Sequence, residues 1–252
     1  MEMPDFRLTK VLRQAALNPI IRLATKIRNG EDWKIEKSIN EDGLGYMPVT
    51  EEALQSAIER EFENDVFLCS TNRDRVSINT HIRDEIIDKR KKEPDEEPDS
   101  LDTIFVSSSK KPGVIGVGDR IIILDNCKKQ AVFNGQLFMV SKYRKVSPHR
   151  IIMYGNEVGV DDSRSITLHP YNFAQEKAVS RFDLSKKYRL DLKNMGVSGD
   201  YAYCLTVHKS QGSEFDNVFL QLKESDKYIW GDMYNRWLYT AVTRASKNLY
   251  FV

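Results

Sequence analysis

Cysteine is scarce in this sequence: Cys69, Cys127 and Cys204 are odd in number and widely spaced. That excludes a disulfide scaffold, offers no metal-ligand spacing, and fits a reducing compartment, so no metal site and a cytoplasmic location are expected. Long apolar runs are missing too. Asp119 and Arg120 interrupt the most hydrophobic stretch, Val114 to Leu124, so a span of eighteen or so apolar residues is excluded and no membrane partner is expected. Near the start, Arg7, Lys10 and Arg13 alternate with apolar positions, so no secretory h-region is expected and the mature chain should begin inside the cell. Neither charge sign is in excess, with 38 basic against 37 acidic residues and a net charge of +1. A global basic field is therefore excluded, and any nucleic acid must be met by local patches.

What is present is an ordinary folded composition, 252 residues with 40% hydrophobic and 30% charged, enough for one large domain with an inserted smaller one. Asn18-Pro19 before Ile20, Leu23, Ala24 and Ile27 predicts a capped amphipathic helix that stops at Asn29-Gly30. After a loop through Gly43 and Gly45, Thr50 opens a second helix with Leu54, Ile58 and Phe62 inward, ending near Asn64. Val66 to Cys69 reads as a strand buried on both faces, and Thr71 can cap the next helix. Lys89 to Ser100, with Pro94 and Pro98, reads as an exposed charged linker. Short strands follow at Asp119–Leu124, Gln136–Lys142, Arg150–Tyr154 and Ser165–Leu168, a small antiparallel insertion. Apolar strands resume at Tyr201–Val207 and Asn217–Leu222. Tyr234, Trp237, Leu238, Ala241, Val242 and Ala245 then form a helical stripe before a last strand, Leu249–Val252. Alternating strands and helices imply a parallel sheet with crossover helices.

Two segments carry chemistry. Thr206-Val207-His208-Lys209-Ser210-Gln211-Gly212-Ser213-Glu214-Phe215-Asp216 is a polar run after a buried strand, the place where open α/β sheets hold ligands; it could also be a solvated turn. In Trp237 to Ala245, Arg244 ends an amphipathic helix, where a cation is also worth about 0.3 to 1 kcal/mol against the helix dipole. Gly212 permits positive φ or close approach to a phosphate, or is a plain turn glycine. Lys142, Tyr143, Arg144, Lys145, His149 and Arg150 combine cations with an aromatic, suited to a groove that tracks a backbone and stacks a base; lysines on a solvated hairpin edge look the same.

The pair HKSQGSEFD and LYTAVTRA resembles motifs V and VI of superfamily 1 DNA helicases, in the RecD-like and Dda-like branch. Leu12-Arg13-Gln14, Asn18-Pro19-Ile20-Ile21 and Ile27-Arg28-Asn29-Gly30 resemble the start of the second motor domain of that family. Gly118-Asp119-Arg120 and Asn134-Gly135-Gln136 resemble its inserted SH3-like barrel. These matches keep the family's order, which is more specific than any one short pattern.

The resemblance implies an α/β fold: a RecA-like parallel sheet with flanking helices, interrupted by a small antiparallel SH3-like β-barrel. The corresponding division is 1–100 for the first part of the motor domain, 101–198 for the insertion with its charged linker, and 199–252 for the second part. It implies Arg244 as an arginine finger and Arg13 as a second cation at the terminal phosphate, with Gln211, Gly212 and Glu214 along the nucleotide, Glu214 toward the ribose. A planar guanidinium suits the spread charge of phosphoryl transfer, where such a finger contributes ~10³ to 10⁵ in rate. For single-stranded DNA it carries over Thr71, Asn72, Thr206 and His208, although Thr71 could be only an N-cap and His208 a structural histidine.

No Gly-Lys dipeptide occurs anywhere, and Asp84-Glu85 lies inside a predicted helix, so the phosphate loop and magnesium-holding pair of a complete motor are absent. The expectation is the C-terminal half of an ATP-dependent DNA helicase, 5′ to 3′ by resemblance. Its ATP and Mg²⁺ would be held mainly by an N-terminal motor domain, in the same full-length protein or a split partner, and the chain alone would be inactive. The rival expectation is a non-catalytic nucleic-acid-binding or regulatory module derived from a helicase.

Overall fold

A computed structural model describes residues 18–92, 115–160, 163–192 and 194–252. Arg13, with the Leu12-Arg13-Gln14 segment, and the charged segment 93–100 lie outside these. The chain divides into two compact units, one built from the residues up to Val49 with Gln211–Val252, the other from Thr50–Ser210.

The first unit opens with helix α1, Pro19–Asn29. The Asn18 side chain accepts from the Ile20 N–H at 2.9 Å, and Gly30 ends the helix at φ +72°, so the cap and stop signals act as their chemistry dictates. Ile20, Leu23, Ala24 and Ile27 are buried. The expected loop beyond it contains a short antiparallel pair, β1 (Ser38–Ile39) and β2 (Gly45–Pro48). Gly45 is needed there because a Cβ would meet the Ser38 carbonyl oxygen at 1.9 Å.

In the second unit, Thr50 caps helix α2, Glu51–Glu59, accepting from Ala53 N–H at 3.2 Å. The helix ends five residues before the expected Asn64. Glu61 and Phe62 take positive φ and swing the Phe62 ring into the core, so the inward apolar position is filled from a turn. Strand β3 (Asp65–Cys69) is wholly buried. Helix α3 then runs Asn72–Lys92, so 89–92 is helix where the charge run suggested a linker. Its charged end is anchored: Lys89 Nζ donates to the Glu59 carbonyl at 3.0 Å, and Arg90 pairs with Glu61.

The insertion is a closed barrel of five strands in the order β4 (Arg120–Ile123), β5 (Leu137–Ser147), β6 (Arg150–Glu157), β7 (Ser163–His169) and β8 (Val197–Tyr201). Its pairs are antiparallel except the closing one, β7 with β8, which is parallel. That exception corrects the wholly antiparallel expectation. A parallel return needs a long crossover, and here it contains helix α4, Arg181–Tyr188. The apolar run expected as one strand over Tyr201–Val207 is split. Tyr201 ends β8, the Ala202 N–H donates to the Arg120 carbonyl at 2.9 Å, and strand β9 (Cys204–Thr206) starts afresh in parallel with β3.

Buried polar groups fix the barrel to α3. Arg83 forks onto Asp119 at 2.9 Å, and Asp119 also accepts from Gly116 N–H and the Tyr203 hydroxyl. Asn79 donates to the Cys204 carbonyl and accepts from its N–H, both at 2.8 Å, holding β9 like an extra strand rung. Arg120, fully buried, donates to the Phe62 and Asp65 carbonyls, and burial pulls its guanidinium down to about 10. Cys69 and Cys204, remote in sequence, bring buried free thiols to 3.6 Å of each other.

The chain re-enters the first unit through β10 (Phe215–Leu220), helix α5 (Glu224–Trp230), helix α6 (Tyr234–Val242) and β11 (Ala245–Phe251). Within it the strand order is β1-β2-β11-β10, parallel on both sides of β11. Helix α5 had no apolar stripe to announce it. Among the described residues no helix is long and apolar enough to cross a membrane.

Candidate functional site

In the first unit, α6 buries Trp237, Leu238, Ala241 and Val242. This face fixes the helix so that its last turn delivers Arg244 just before β11. The guanidinium is half-buried and held at three points. Nε donates to the Thr240 carbonyl at 3.1 Å, Nη1 to the Ser213 carbonyl at 2.9 Å, and Nη2 to the Thr243 hydroxyl at 3.2 Å. No carboxylate is among its hydrogen-bond partners among the described residues.

Ser213 belongs to the polar run leading into β10. Phe215 N–H donates to the Arg244 carbonyl at 2.9 Å, and Phe215 is in register with Ala245. Parallel pairing therefore brings the glycine-bearing run and the terminal arginine, 31 positions apart, to one edge. Gln211, Gly212 and Glu214 are exposed there. Gly212 has φ +86° and a Cβ would meet nothing within 4 Å, so its backbone conformation, not crowding, calls for glycine. Asp216, by contrast, is tied up by Lys247 at 2.8 Å and by Ser246.

The residues expected to meet a nucleic-acid strand lie in the second unit. Cys69 is in register with Thr206, and Val207 N–H donates to the Cys69 carbonyl at 3.1 Å. Thr71-Asn72 and Thr206 to His208 thus follow the same ends of two neighbouring strands. Their exposure differs: Asn72 and His208 are exposed, Thr71 half-buried and Thr206 buried. The Thr71 hydroxyl accepts from Asp74 N–H at 3.1 Å and donates to the Asp74 carboxylate at 2.8 Å. Asn72 Oδ1 accepts from Arg75 Nε at 3.1 Å. Lys209 Nζ donates to Asn134 Oδ1 at 3.2 Å, so the Asn134-Gly135-Gln136 turn of the barrel meets the polar run.

On the barrel, Lys142 and Arg144 lie two apart on β5 and are exposed, while Tyr143 between them is half-buried and faces the other side. A strand alternates its side chains, so these three do not form one stacking groove. The other half of the expected cluster turns elsewhere. His149 hydrogen-bonds the Tyr171 hydroxyl, and Tyr171 stacks on Tyr188 at 4.3 Å.

Sequence reasoning missed the groups that seat Arg244. Thr243 could have been found as a hydroxyl one residue before it; the Thr240 and Ser213 carbonyls leave no trace in side-chain chemistry. Among the described residues no group of three or more His, Cys, Asp and Glu side chains could hold a metal ion.

Residues 201–252 match the UvrD-like helicase C-terminal domain. An uncharacterized protein of Methanocaldococcus jannaschii is 41% identical over 80 residues, which is 31% of this chain and 6% of that protein. Among solved structures, Pif1 helicase from Bacteroides in complex with ADP-AlF3 and ssDNA aligns with 97% of this chain and 51% of its own, at 19% identity and a TM-score of 0.47. Pif1 helicase from Candida albicans aligns with 96% and 55%, at 16% identity and a TM-score of 0.47. The chain spans about half the length of these helicases.

Proposed function

We propose that this chain is the second motor half of an ATP-dependent helicase acting on single-stranded DNA, with Arg244 as its arginine finger. The observation that carries the reading is the seating of Arg244. Three hydrogen bonds hold the guanidinium to the edge where Gln211, Gly212 and Glu214 are exposed, and they leave N–H donors of its fork unspent. A pre-oriented, half-buried cation with spare donors can meet a phosphate oxygen without reorganising. Bound ATP would supply the phosphoanhydride, with Mg²⁺ held mainly by the first motor half. Gly212 lets the loop backbone approach the nucleotide, and Glu214 reaches toward the ribose. Asn72 and His208 hold the strand through its phosphates, without reading sequence, with buried Thr206 behind them at the end of β9. Arg13 adds a second cation, and the direction of travel is 5′ to 3′, both by resemblance.

The test is Arg244→Ala in the protein joined to a first motor half. The expected result is a fall in DNA-stimulated kcat of ~10³ or more, with nucleotide Kd changed by less than about threefold. Parallel loss of binding and turnover would make Arg244 a structural residue and remove the reading.

A further inference from the structure

The barrel carries another place where cations gather, and of the basic run 142–150 only Arg150 is among them. Between the turn after β4, strand β7 and the start of α4 lies an open cleft of about 740 Å³. Lys129, Arg150 and Arg181 line it together with Ser165, Thr167 and Asn194, and no aspartate or glutamate lines it among the described residues. Three cations facing one space without a counter-charge repel each other, so an anion there would relieve the repulsion.

The arginines are also incompletely satisfied. The Nε atoms of Arg150 and Arg181 are buried and have no hydrogen-bond partner among the described residues. Leaving a charged donor buried and unpaired is costly, and native structures resolve such cases with a water, an ion or a ligand. The cleft is held in shape independently. The Gln130 side chain bonds both the carbonyl and the N–H of Thr167, at 3.2 and 2.6 Å, and Arg181 Nη2 donates to the Leu192 and Met195 carbonyls at 3.0 and 2.8 Å. Ser165 and Thr167 stand two apart on β7 and so present hydroxyls to one face.

We infer that this cleft is a phosphate-binding site, taking a group with two or more phosphates from a free oligophosphate or from the backbone of a single strand. Guanidinium forks, an ammonium and hydroxyls form the donor set that phosphate oxygens select, and three cations match the charge of more than one phosphate. The inference rests on the barrel alone and stands whether or not Arg244 is a finger.

The experiment titrates the full chain by calorimetry with pyrophosphate at fixed salt, and repeats the titration with a short single-stranded oligodeoxynucleotide present. Arg150→Gln should weaken pyrophosphate about tenfold, the effect of losing one hydrogen bond to a charged group. Lys227→Gln, which removes one positive charge from an exposed site on the other unit, should leave Kd within about twofold. Competition by the oligonucleotide would assign the cleft to backbone phosphates, and its absence to a free oligophosphate; both support the site. Lys129→Gln is the second variant, since that side chain is exposed and its loss does not threaten folding. Heats indistinguishable from buffer at millimolar pyrophosphate, or equal affinity in wild type, Arg150→Gln and Lys129→Gln, would overturn the inference.

Discussion

The Thr71 hydroxyl has two claimants. Its position after a buried strand suits a phosphate contact, yet both of its hydrogen-bonding roles are engaged with Asp74, through the N–H and the carboxylate. As an N-cap it satisfies one of the orphan donors at the start of α3, and a phosphate would have to displace a carboxylate to reach it. Thr71→Ala should therefore lower stability by about 1 kcal/mol, whereas Thr71→Asn, also a strong cap, should hold it within a few tenths. Urea unfolding of the three proteins checks this, and equal stability of Thr71→Ala and wild type would return the hydroxyl to the strand. If a strand passes here as proposed, Asn72 and His208, which are exposed, are better placed than Thr71 to meet it. This capping role was legible from Thr71 followed by Asp74; which of two roles the hydroxyl fills depended on where the carboxylate points.

At the scale of elements, the shortest pairing in the barrel is the closing one, a parallel register of two rungs, Leu168 with Val197 and His169 with Ser198. His169 is fully buried and bonds the Ser198 hydroxyl through Nε2 at 2.9 Å, while Nδ1 accepts from Tyr171 N–H at 3.3 Å. An accepting Nδ1 requires the neutral ring. Burial holds the imidazole down to about 4, against its ordinary 6.5, with Asp125 opposing the shift and Arg181 adding to it. Between those values the unfolded chain takes up a proton that the folded chain refuses. Stability from this joint is thus full above about pH 6.5 and declines as pH falls toward 4, by about 2 kcal/mol at pH 5. The imidazole resonance of His169 followed against pH should show a midpoint near 4, and one near 6.5 would refute the sealed joint. Nothing in the sequence marked this closure, because pairing partners on a barrel are set by a crossover whose helix, α4, has little amphipathic pattern. Helix α1 was legible end to end, since Asn18, Pro19 and Gly30 act locally.

At the scale of the whole molecule, alternating apolar strands and helical stripes announced the α/β class, and the chemistry-bearing run after β9 was found at a strand end as expected. What sequence order concealed was that this run is shared between units, its Thr206–Ser210 end with β3 and β9 and its Gln211–Asp216 end with Arg244. On the proposed reading, the groups meant for the nucleotide and those meant for the strand belong to different units of the chain. On that reading the chain works only with a first motor half. An arginine finger stabilises charge that develops on a phosphate already cradled and screened, and the 252 residues contain no Gly-Lys dipeptide to end a cradling loop. The purified chain should accordingly show no magnesium-dependent ATP hydrolysis above background, with or without single-stranded DNA, and binding to that DNA should weaken steeply as salt is raised because phosphate contacts carry it. Phosphate release measured with and without a first motor half in trans decides the matter. Turnover by the chain alone would mean that a nucleotide is cradled by groups other than those proposed, while turnover that needs the second half and vanishes with Arg244→Ala would assign to this chain the cation and to its neighbour the cradle.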